Sequence, residues 1–310
     1  MSAAQSIALL VCLATQDASA VAARVNGEPI YAAQAETEFR DAFGDKQFSD
    51  EDKQRLQRAA LDQVIDRQLV LAYLAKTGQA ASKADIDLEL AQFEKDLKSQ
   101  NLSLAEHSKR VGLSLDDIRR ALAWKISWKR YCEKHLTPQN LEKYFQQHRR
   151  DFDSTQLRVA QILFKLKPDA DEATTTAATD RAAKLREEIV SGKISFAEAA
   201  KQNSQAPSKD GGGDIGWIER HRPMPEDFNR TAFALKPDEV SQPLQSPFGI
   251  HLITILEEKP GGKSWKDVEA ELRPAVVVYL FRFLADKVRA EAKIEYLEEK
   301  NQEPRTKEPN

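Results

Sequence analysis

Ser246 and His251 are the first candidates for chemistry, because a serine activated by a nearby histidine is a nucleophile. No nucleophile elbow of the G-x-S-x-G type surrounds Ser246, which disfavours a hydrolase. The glycine run at 211–213 is not a phosphate-binding loop, since no Gly-Lys-Ser/Thr follows it. The five histidines lack metal-site spacing, and two cysteines, Cys12 and Cys132, cannot build a disulfide framework. The sequence therefore predicts no metal and no cofactor.

Length, composition and net charge limit the kinds of protein that this chain can be. A length of 310 residues predicts two domains rather than one. Hydrophobic residues make up 41% and charged residues 31%, so a sizeable core can lie under a well-solvated surface. The net charge is only -3 and no long Lys/Arg cluster occurs, which argues against a nucleic-acid partner.

Up to about Arg150 the chain is predicted to be a run of amphipathic helices joined by short loops. Serines stand where helix N-caps are expected; these are Ser49, Ser82 and Ser114. The aromatic residues Trp124, Trp128 and Tyr131 are predicted to be helix core. The alternative is that some of them line an exposed groove.

After Arg150 the pattern changes to that of a compact α+β domain with the order β-α-α-α-β-β. The predicted strands are 157–166, 240–244 and 249–257, the helices are 172–191, 195–202 and 225–235, and 209–216 is a glycine-rich turn. A helical pattern returns from Ser264 and is followed by a short strand at 292–297.

The N-terminus suggests export. Ile7–Ala14 is a short apolar run, and the small-residue site Ala18-Ser19-Ala20 follows it, as in a secretory signal peptide cleaved after Ala20. A lipoprotein anchored through Cys12 is the alternative. The predicted location is therefore the periplasm or cell envelope, with peripheral membrane association left open.

Several motifs in order carry a family resemblance. They are Phe196-Ala197-Glu198-Ala199-Ala200, Ser204, Gly212-Gly213-Asp214-Ile215-Gly216-Trp217, Phe228, Ala232-Phe233-Ala234-Leu235, Glu239-Val240-Ser241 and Pro247-Phe248-Gly249-Ile250-His251. Their order and spacing resemble those of parvulin-type peptidyl-prolyl isomerases over residues 158–258. The resemblance implies an α+β domain with an antiparallel sheet and surrounding helices.

The resemblance also implies which residues form the site. Gln161, Ser246 and His251 would form the catalytic hydrogen-bond network, and Ile215, Met224, Phe228 and Phe248 would bind the proline-containing substrate. Met224 and Phe228 are four positions apart and would share a face on a helix, where plain core packing is the alternative. Rotation about an X–Pro bond needs no covalent chemistry, only complementarity to the twisted amide.

Two positions depart from the parvulin pattern. Gln161 stands where the first strand usually carries a histidine, and an amide does not titrate near neutral pH. Ala206 stands where the family usually has Cys or Asp, and it offers no polar group. Both departures reduce the polar character of the pocket. Weak isomerase activity, or substrate binding without isomerisation, is therefore expected.

The layout around the parvulin-like stretch is similar to that of exported chaperones of the SurA and PrsA type. It rests on Val25-Asn26-Gly27-Glu28-Pro29-Ile30 and on the helices that bracket the α+β part. The predicted divisions are a signal peptide (1–20), a helical chaperone-like domain (21–153), the parvulin domain inserted in it (154–260), a returning helix and strand (261–297) and a disordered tail (298–310). Val21–Val25 is expected to pair with Ile294–Tyr296.

Three functions remain open at this point. The first is an isomerase and chaperone that acts on unfolded or proline-containing polypeptides during the folding of exported proteins. The second is a non-catalytic chaperone or secretion-assembly factor, which Gln161 and Ala206 favour. The third is a structural domain of a larger envelope complex. The oligomeric state is not predicted.

Overall fold

The computed structural model describes residues 20–44, 46–167 and 170–297. The proposed signal peptide up to Ser19, the lipoprotein candidate Cys12 and the tail 298–310 lie outside the described residues. The chain divides into two compact units, one formed by Met1–Thr137 with Val277–Asn310 (the helical unit) and one by Pro138–Val276 (the insert unit). The finer domain borders at 153/154 and 260/261 stay predictions.

The helical unit is built from β1 (Val21–Val25), β2 (Glu28–Tyr31), α1 (Ala32–Phe43), α2 (Asp50–Lys76), α3 (Lys83–Ser99), α4 (Leu104–Val111), α5 (Leu115–His135), the later part of α11 (Glu269–Arg289) and β7 (Ile294–Tyr296). The three predicted serine caps are confirmed, since each hydroxyl accepts the backbone N–H three residues on. Ser103 caps α4 in the same way. In the described part of the chain, no helix has the length and apolarity to cross a membrane.

A small antiparallel sheet closes the helical unit, with the strand order β2-β1-β7. Asn26 and Gly27 both have positive φ, as a tight hairpin turn between β1 and β2 requires. The predicted return of the C-terminal segment is observed, because Ala23 is opposite Tyr296 and Val25 is opposite Ile294. Residues far apart in the sequence thus complete one core around Ile65.

The aromatic residues of α5 are only partly core. Tyr131 is buried with Val70 and Leu74, as predicted. Trp124 and Trp128 stack on each other at 5.3 Å and are partly buried against the same cluster. Trp124 also lines a cavity in this unit, so the groove alternative holds for that residue.

The insert unit contains α6 (Pro138–Gln147), α7 (Arg149–Phe152), β3 (Gln156–Lys165), α8 (Glu172–Val190), α9 (Phe196–Asn203), β4 (Asp214–Glu219), α10 (Glu226–Ala234), β5 (Leu244–Ser246), β6 (Gly249–Lys259) and the start of α11. Its sheet is antiparallel throughout, in the order β4-β3-β6-β5. The predicted α+β class with an antiparallel sheet is confirmed.

Two strand predictions in this unit were wrong. The stretch predicted as a turn at 209–216 is a short 3-10 turn that leads directly into β4. Gly213 and Gly216 made this stretch resemble a turn in the sequence. An edge strand with an irregular register tolerates glycines, so β4 forms despite them. The predicted strand 240–244 reduces to one bridge between Val240 and Thr254, with β5 beginning only at Leu244.

The two faces of the sheet bury different clusters. Leu157 and Val159 of β3 pack with Phe228 of α10 on one face. Ile162 and Phe164 pack with α8 and α9 on the other face. Because side chains alternate along a strand, the odd-numbered residues of β3 from Leu157 onward point toward the α10 face. That face carries the candidate site.

Candidate functional site

Strand pairing brings Gln161 and His251 together. Leu163 is opposite His251 and Gln161 is opposite Ile253 in the β3–β6 ladder, so Gln161 is a diagonal neighbour of His251 on one face. The Gln161 Oε1 atom lies 2.9 Å from His251 Nδ1. Ninety residues separate the two in sequence, and the pairing of β3 with β6 brings them together.

The other ring nitrogen of His251 is held by Ser246. Ser246 Oγ lies 2.6 Å from His251 Nε2 and accepts the backbone N–H of Phe248 at 3.0 Å. With an amide oxygen as its partner, Nδ1 carries the proton, so the Ser246 hydroxyl donates to Nε2. The three predicted catalytic residues therefore form one continuous hydrogen-bonded chain.

His251 is the neutral centre of this chain. Its side chain is 2% exposed, and burial lowers its pKa to about 4. The imidazole is therefore uncharged at neutral pH, and it offers hydrogen bonds without a formal charge. Gln161 is neutral at every pH, so the network itself does not titrate between about pH 5 and 9.

A cavity of about 530 Å³ opens beside this network. Its wall is formed by Gln161, Leu163, Lys165, Leu166, Ala206, Pro207, Met224, Pro247, Phe248 and His251. The phenyl ring of Phe248 is 56% exposed at the rim, where a bound ligand would cover it. Ala206 presents an apolar surface at the position where the parvulin pattern has a polar side chain.

Phe228 and Ile215 occupy a different place from the other predicted binding residues. Phe228 is fully buried and meets the ring of His251 edge to face at 5.5 Å, so it supports the histidine from behind. Ile215 is partly buried against the same cluster. Neither side chain contributes to the cavity wall.

Met224 reaches the cavity from a loop. The prediction that Met224 and Phe228 share a helix face was wrong, because α10 begins at Glu226 with Pro225 as its N-cap residue. The carbonyl of Met224 instead accepts a hydrogen bond of 2.7 Å from Nδ2 of the fully buried Asn229. Asn229 thus fixes the loop that presents Met224, a role that the sequence did not indicate.

The glycine motif positions Gln161. Gly213 has φ +87°, and its carbonyl accepts the backbone N–H of Gln161 at 2.9 Å. A Cβ atom on Gly213 would lie 2.4 Å from the Gln161 carbonyl oxygen. Only glycine therefore allows the loop this close to β3.

Ser204 anchors the segment before the glycine motif. Its hydroxyl accepts the backbone N–H groups of Leu163 and Ala206, and Gln205 Oε1 accepts that of Lys165. These bonds hold Ala206 at the cavity wall beside β3.

Five wall residues were missed by sequence reasoning, namely Leu163, Lys165, Leu166, Pro207 and Pro247. The alternation of β3 could have found two of them, because Leu163 and Lys165 share the face of Gln161. Lys165 is the one residue of this wall with a formal charge at neutral pH. The others come from loops, whose orientation has no periodic signal.

Comparison with known families supports this description. A model of the PPIC-type PPIase (rotamase) domain matches residues 162–257, and a model of a SurA-like N-terminal domain matches residues 10–107.

Relatives with known names match parts of the chain. This chain is 36% identical over 148 residues to the Chaperone SurA of Polaromonas sp. (strain JS666), and the match covers 46% of this chain and 30% of that protein. It is 32% identical over 165 residues to Foldase protein PrsA 1 of Bacillus cereus, covering 52% of this chain and 50% of that protein. The chain thus spans half or less of these relatives.

Among solved structures, PrsA from Bacillus anthracis covers 74% of this chain and 96% of its own, with 21% identity and a TM-score of 0.35. A TM-score this low carries no weight, so the assignment rests on the two family models. The chain contains a PPIC-type PPIase domain at residues 162–257 and a SurA-like N-terminal domain at residues 10–107.

Proposed function

We propose that this protein is a peptidyl-prolyl cis-trans isomerase and chaperone that assists the folding of exported proteins. The observation that carries the proposal is the apolar cavity in which Met224 and Phe248 face the neutral chain of Gln161, His251 and Ser246. The sequence matches to Chaperone SurA and Foldase PrsA support it.

The cavity suits amide rotation for a physical reason. The barrier of about 18–20 kcal/mol comes from amide resonance, which places partial charges on the carbonyl oxygen and the nitrogen. An apolar wall disfavours that polar planar form relative to the less polar twisted one. Met224 and Phe248 would hold the proline ring, while the neutral network orients the backbone of the substrate.

Supporting roles follow from position. Phe228 and Ile215 would keep His251 and the pocket floor in place from the core side. The predicted domain divisions and the unfolded, proline-containing clients are part of the same proposal, and so is export to the periplasm or cell envelope. Fractionation of cells that express the full chain would test the location.

A proline-peptide isomerisation assay tests the activity. Met224→Ala should lower kcat/KM about tenfold, because it removes apolar contact worth about 1.4 kcal/mol in the twisted state. Phe228 is unsuited to this test, since truncating a fully buried ring would disturb folding.

Ile194→Ala is the matched control, because Ile194 is also partly buried but packs on the opposite face of the sheet. It should leave kcat/KM unchanged. Equal kcat/KM for Met224→Ala and the wild type would overturn the site assignment.

A non-catalytic chaperone is the second candidate, and Ala206 and Gln161 are the observations that favour it. It predicts suppression of client aggregation with no rate enhancement on proline peptides. Gln161→His places an imidazole beside His251, and a clear gain in rate would show that the missing histidine limits catalysis. No rate in either protein, together with suppressed aggregation, would select the second candidate.

A further inference from the structure

A second cavity, of about 790 Å³, lies wholly within the helical unit. Side chains of α1, α2, α3, α4 and α5 line it. Its apolar wall includes Leu97, Val111, Leu122 and Trp124. Cavities of this volume typically hold small organic ligands. The space is therefore large enough for the acyl chain of a lipid-like molecule.

His107 of α4 is a buried polar group on this wall. The residue is 5% exposed, and its ring meets Phe93 edge to face at 5.3 Å. Across the described ranges, the ring nitrogens have no hydrogen-bonding partner. Buried polar groups are normally paired, so this imidazole marks a point on the wall where a polar group of a ligand would bind.

Arg110 lies about one turn further along α4 and lines the same cavity. Among the residues that the structure describes, its guanidinium forms no ion pair. Burial lowers the pKa of His107 and the charge of Arg110 lowers it further, so the ring is neutral at neutral pH. A neutral imidazole still has one N–H donor, and a guanidinium has five. The two side chains can therefore donate to the same carboxylate.

Most of the other charged side chains of the wall bind each other. The pairs are Glu38 with Arg67, Asp117 with Arg120 at 2.6 Å, and Glu89 with Lys125 at 2.7 Å. Outside these pairs, the wall contains Arg40, Asp41, Asp96 and Arg110. Within the described part of the chain, Arg110 is the one charged group that shifts the pKa of His107. The electrostatic potential at the imidazole is therefore positive, which suits an anionic group of a ligand.

We propose that this cavity binds a long-chain monocarboxylate such as a fatty acid, with its carboxylate held by His107 and Arg110 and its acyl chain along the apolar wall. The proposal goes beyond the proposed isomerase and chaperone function and does not depend on it. The fatty-acid site is also separate from the isomerase site, because the two cavities have no residue in common.

Calorimetric titration of the full chain with sodium dodecanoate, below its micelle-forming concentration, tests the carboxylate site. A pH of about 8 keeps the carboxyl group ionised. Arg110→Gln removes the cation and should weaken binding about tenfold. Lys109→Gln is the matched control, because Lys109 is also an exposed basic residue of α4 but lies outside the cavity wall. This control should bind dodecanoate as the wild type does.

Two further variants test the imidazole and the space. His107→Phe keeps a ring against Phe93 but removes both nitrogens, and should weaken binding about tenfold. Ala121 is an exposed residue of the cavity wall, so Ala121→Trp should fill the space and weaken binding more than tenfold. Its control is Ala91→Trp, on α3 outside the wall. Unfolding temperatures of all variants separate lost binding from lost folding.

Two further ligands test the two parts of the fatty acid. Octanoate has the same carboxylate but four fewer methylene groups, and should bind more than tenfold more weakly because it buries less apolar surface. Dodecyltrimethylammonium has a chain of the same length with a cationic head, and should bind at least tenfold more weakly than dodecanoate because Arg110 repels it.

Equal affinity of Arg110→Gln and Lys109→Gln for dodecanoate would overturn the proposal. So would equal affinity of the wild type for dodecanoate and dodecyltrimethylammonium, because binding would then depend on the apolar chain alone. None of these ligands contains a peptide bond, so a failed isomerase or chaperone assay would leave the result intact.

Discussion

His251 makes folding stability depend on pH. Burial lowers its pKa to about 4 from the ordinary 6.5. Between these values the unfolded chain binds the proton and the folded protein does not, so stability is full above pH 6.5 and falls as the pH drops toward 4. The loss approaches about 3 kcal/mol, because each unit of pKa shift is worth about 1.4 kcal/mol.

Urea unfolding of the wild type and of His251→Gln at about pH 7 and about pH 4.5 checks this. The variant has no imidazole at this position, so it should lose about 2.5 kcal/mol less than the wild type over that interval. Other histidines contribute equally to both proteins and cancel in the comparison. An identical pH dependence of the two proteins would contradict the prediction.

At the scale of elements, the approach of the glycine loop to β3 depends on Gly213. Gly213→Ala forces a Cβ atom to within 2.4 Å of the Gln161 carbonyl oxygen, at a φ of +87° that L-residues rarely adopt. We expect a loss of about 3 kcal/mol in the free energy of unfolding, with lower isomerase activity because Gln161 shifts.

Gly211→Ala is the control within the same turn, because a Cβ atom added there would meet nothing within 4 Å. Its free energy of unfolding should stay within about 0.5 kcal/mol of the wild type in urea titrations. A Gly213→Ala protein as stable as Gly211→Ala would show that the loop adapts and that the close approach is not required.

At the scale of the whole molecule, Arg289 is the centre of a polar cluster that joins the C-terminal segment to α2. Arg289 Nη2 lies 2.8 Å from Asp62, and its Nε lies 2.8 Å from Asp66, the latter at ion-pair distance without hydrogen-bond geometry. Tyr296 of β7 also donates to Asp62 at 2.5 Å, and Arg58 lies over its ring. Burial raises the pKa of Asp66, and the charge of Arg289 opposes that shift.

Arg289→Met should destabilise the protein by about 2 kcal/mol, since Asp66 loses its cationic partner and Asp62 keeps only the longer ion pair with Arg58 at 3.8 Å. The estimate is reduced for their partial exposure. Arg273→Met, which breaks the exposed pair with Glu269 on the same helix, should cost less than about 0.5 kcal/mol. Thermal unfolding of both variants checks this, and equal shifts in Tm would contradict the prediction.

Much of the fold could be predicted because its signals are local. The serine caps, the Asn26-Gly27 turn and the apolar stripes act within a few residues, so helix starts and the hairpin were found. The edge strand β4 was missed because its glycines are typical of turns and its pairing with β3 is a long-range contact. The loop position of Met224 was missed because α10 begins only after Pro225, and the bond from Asn229 that fixes the loop has no periodic signal. The same holds for the wall residues that come from loops.

The sequence by itself determined the motifs of the isomerase domain, its α+β class and the identity of Gln161, His251 and Ser246. These depend on residue type and order alone. Only the tertiary structure decided that the three side chains form one neutral network and that Phe228 supports the histidine from the core. Distances, burial and pKa depend on strand register and on packing between distant segments, which a linear pattern does not contain.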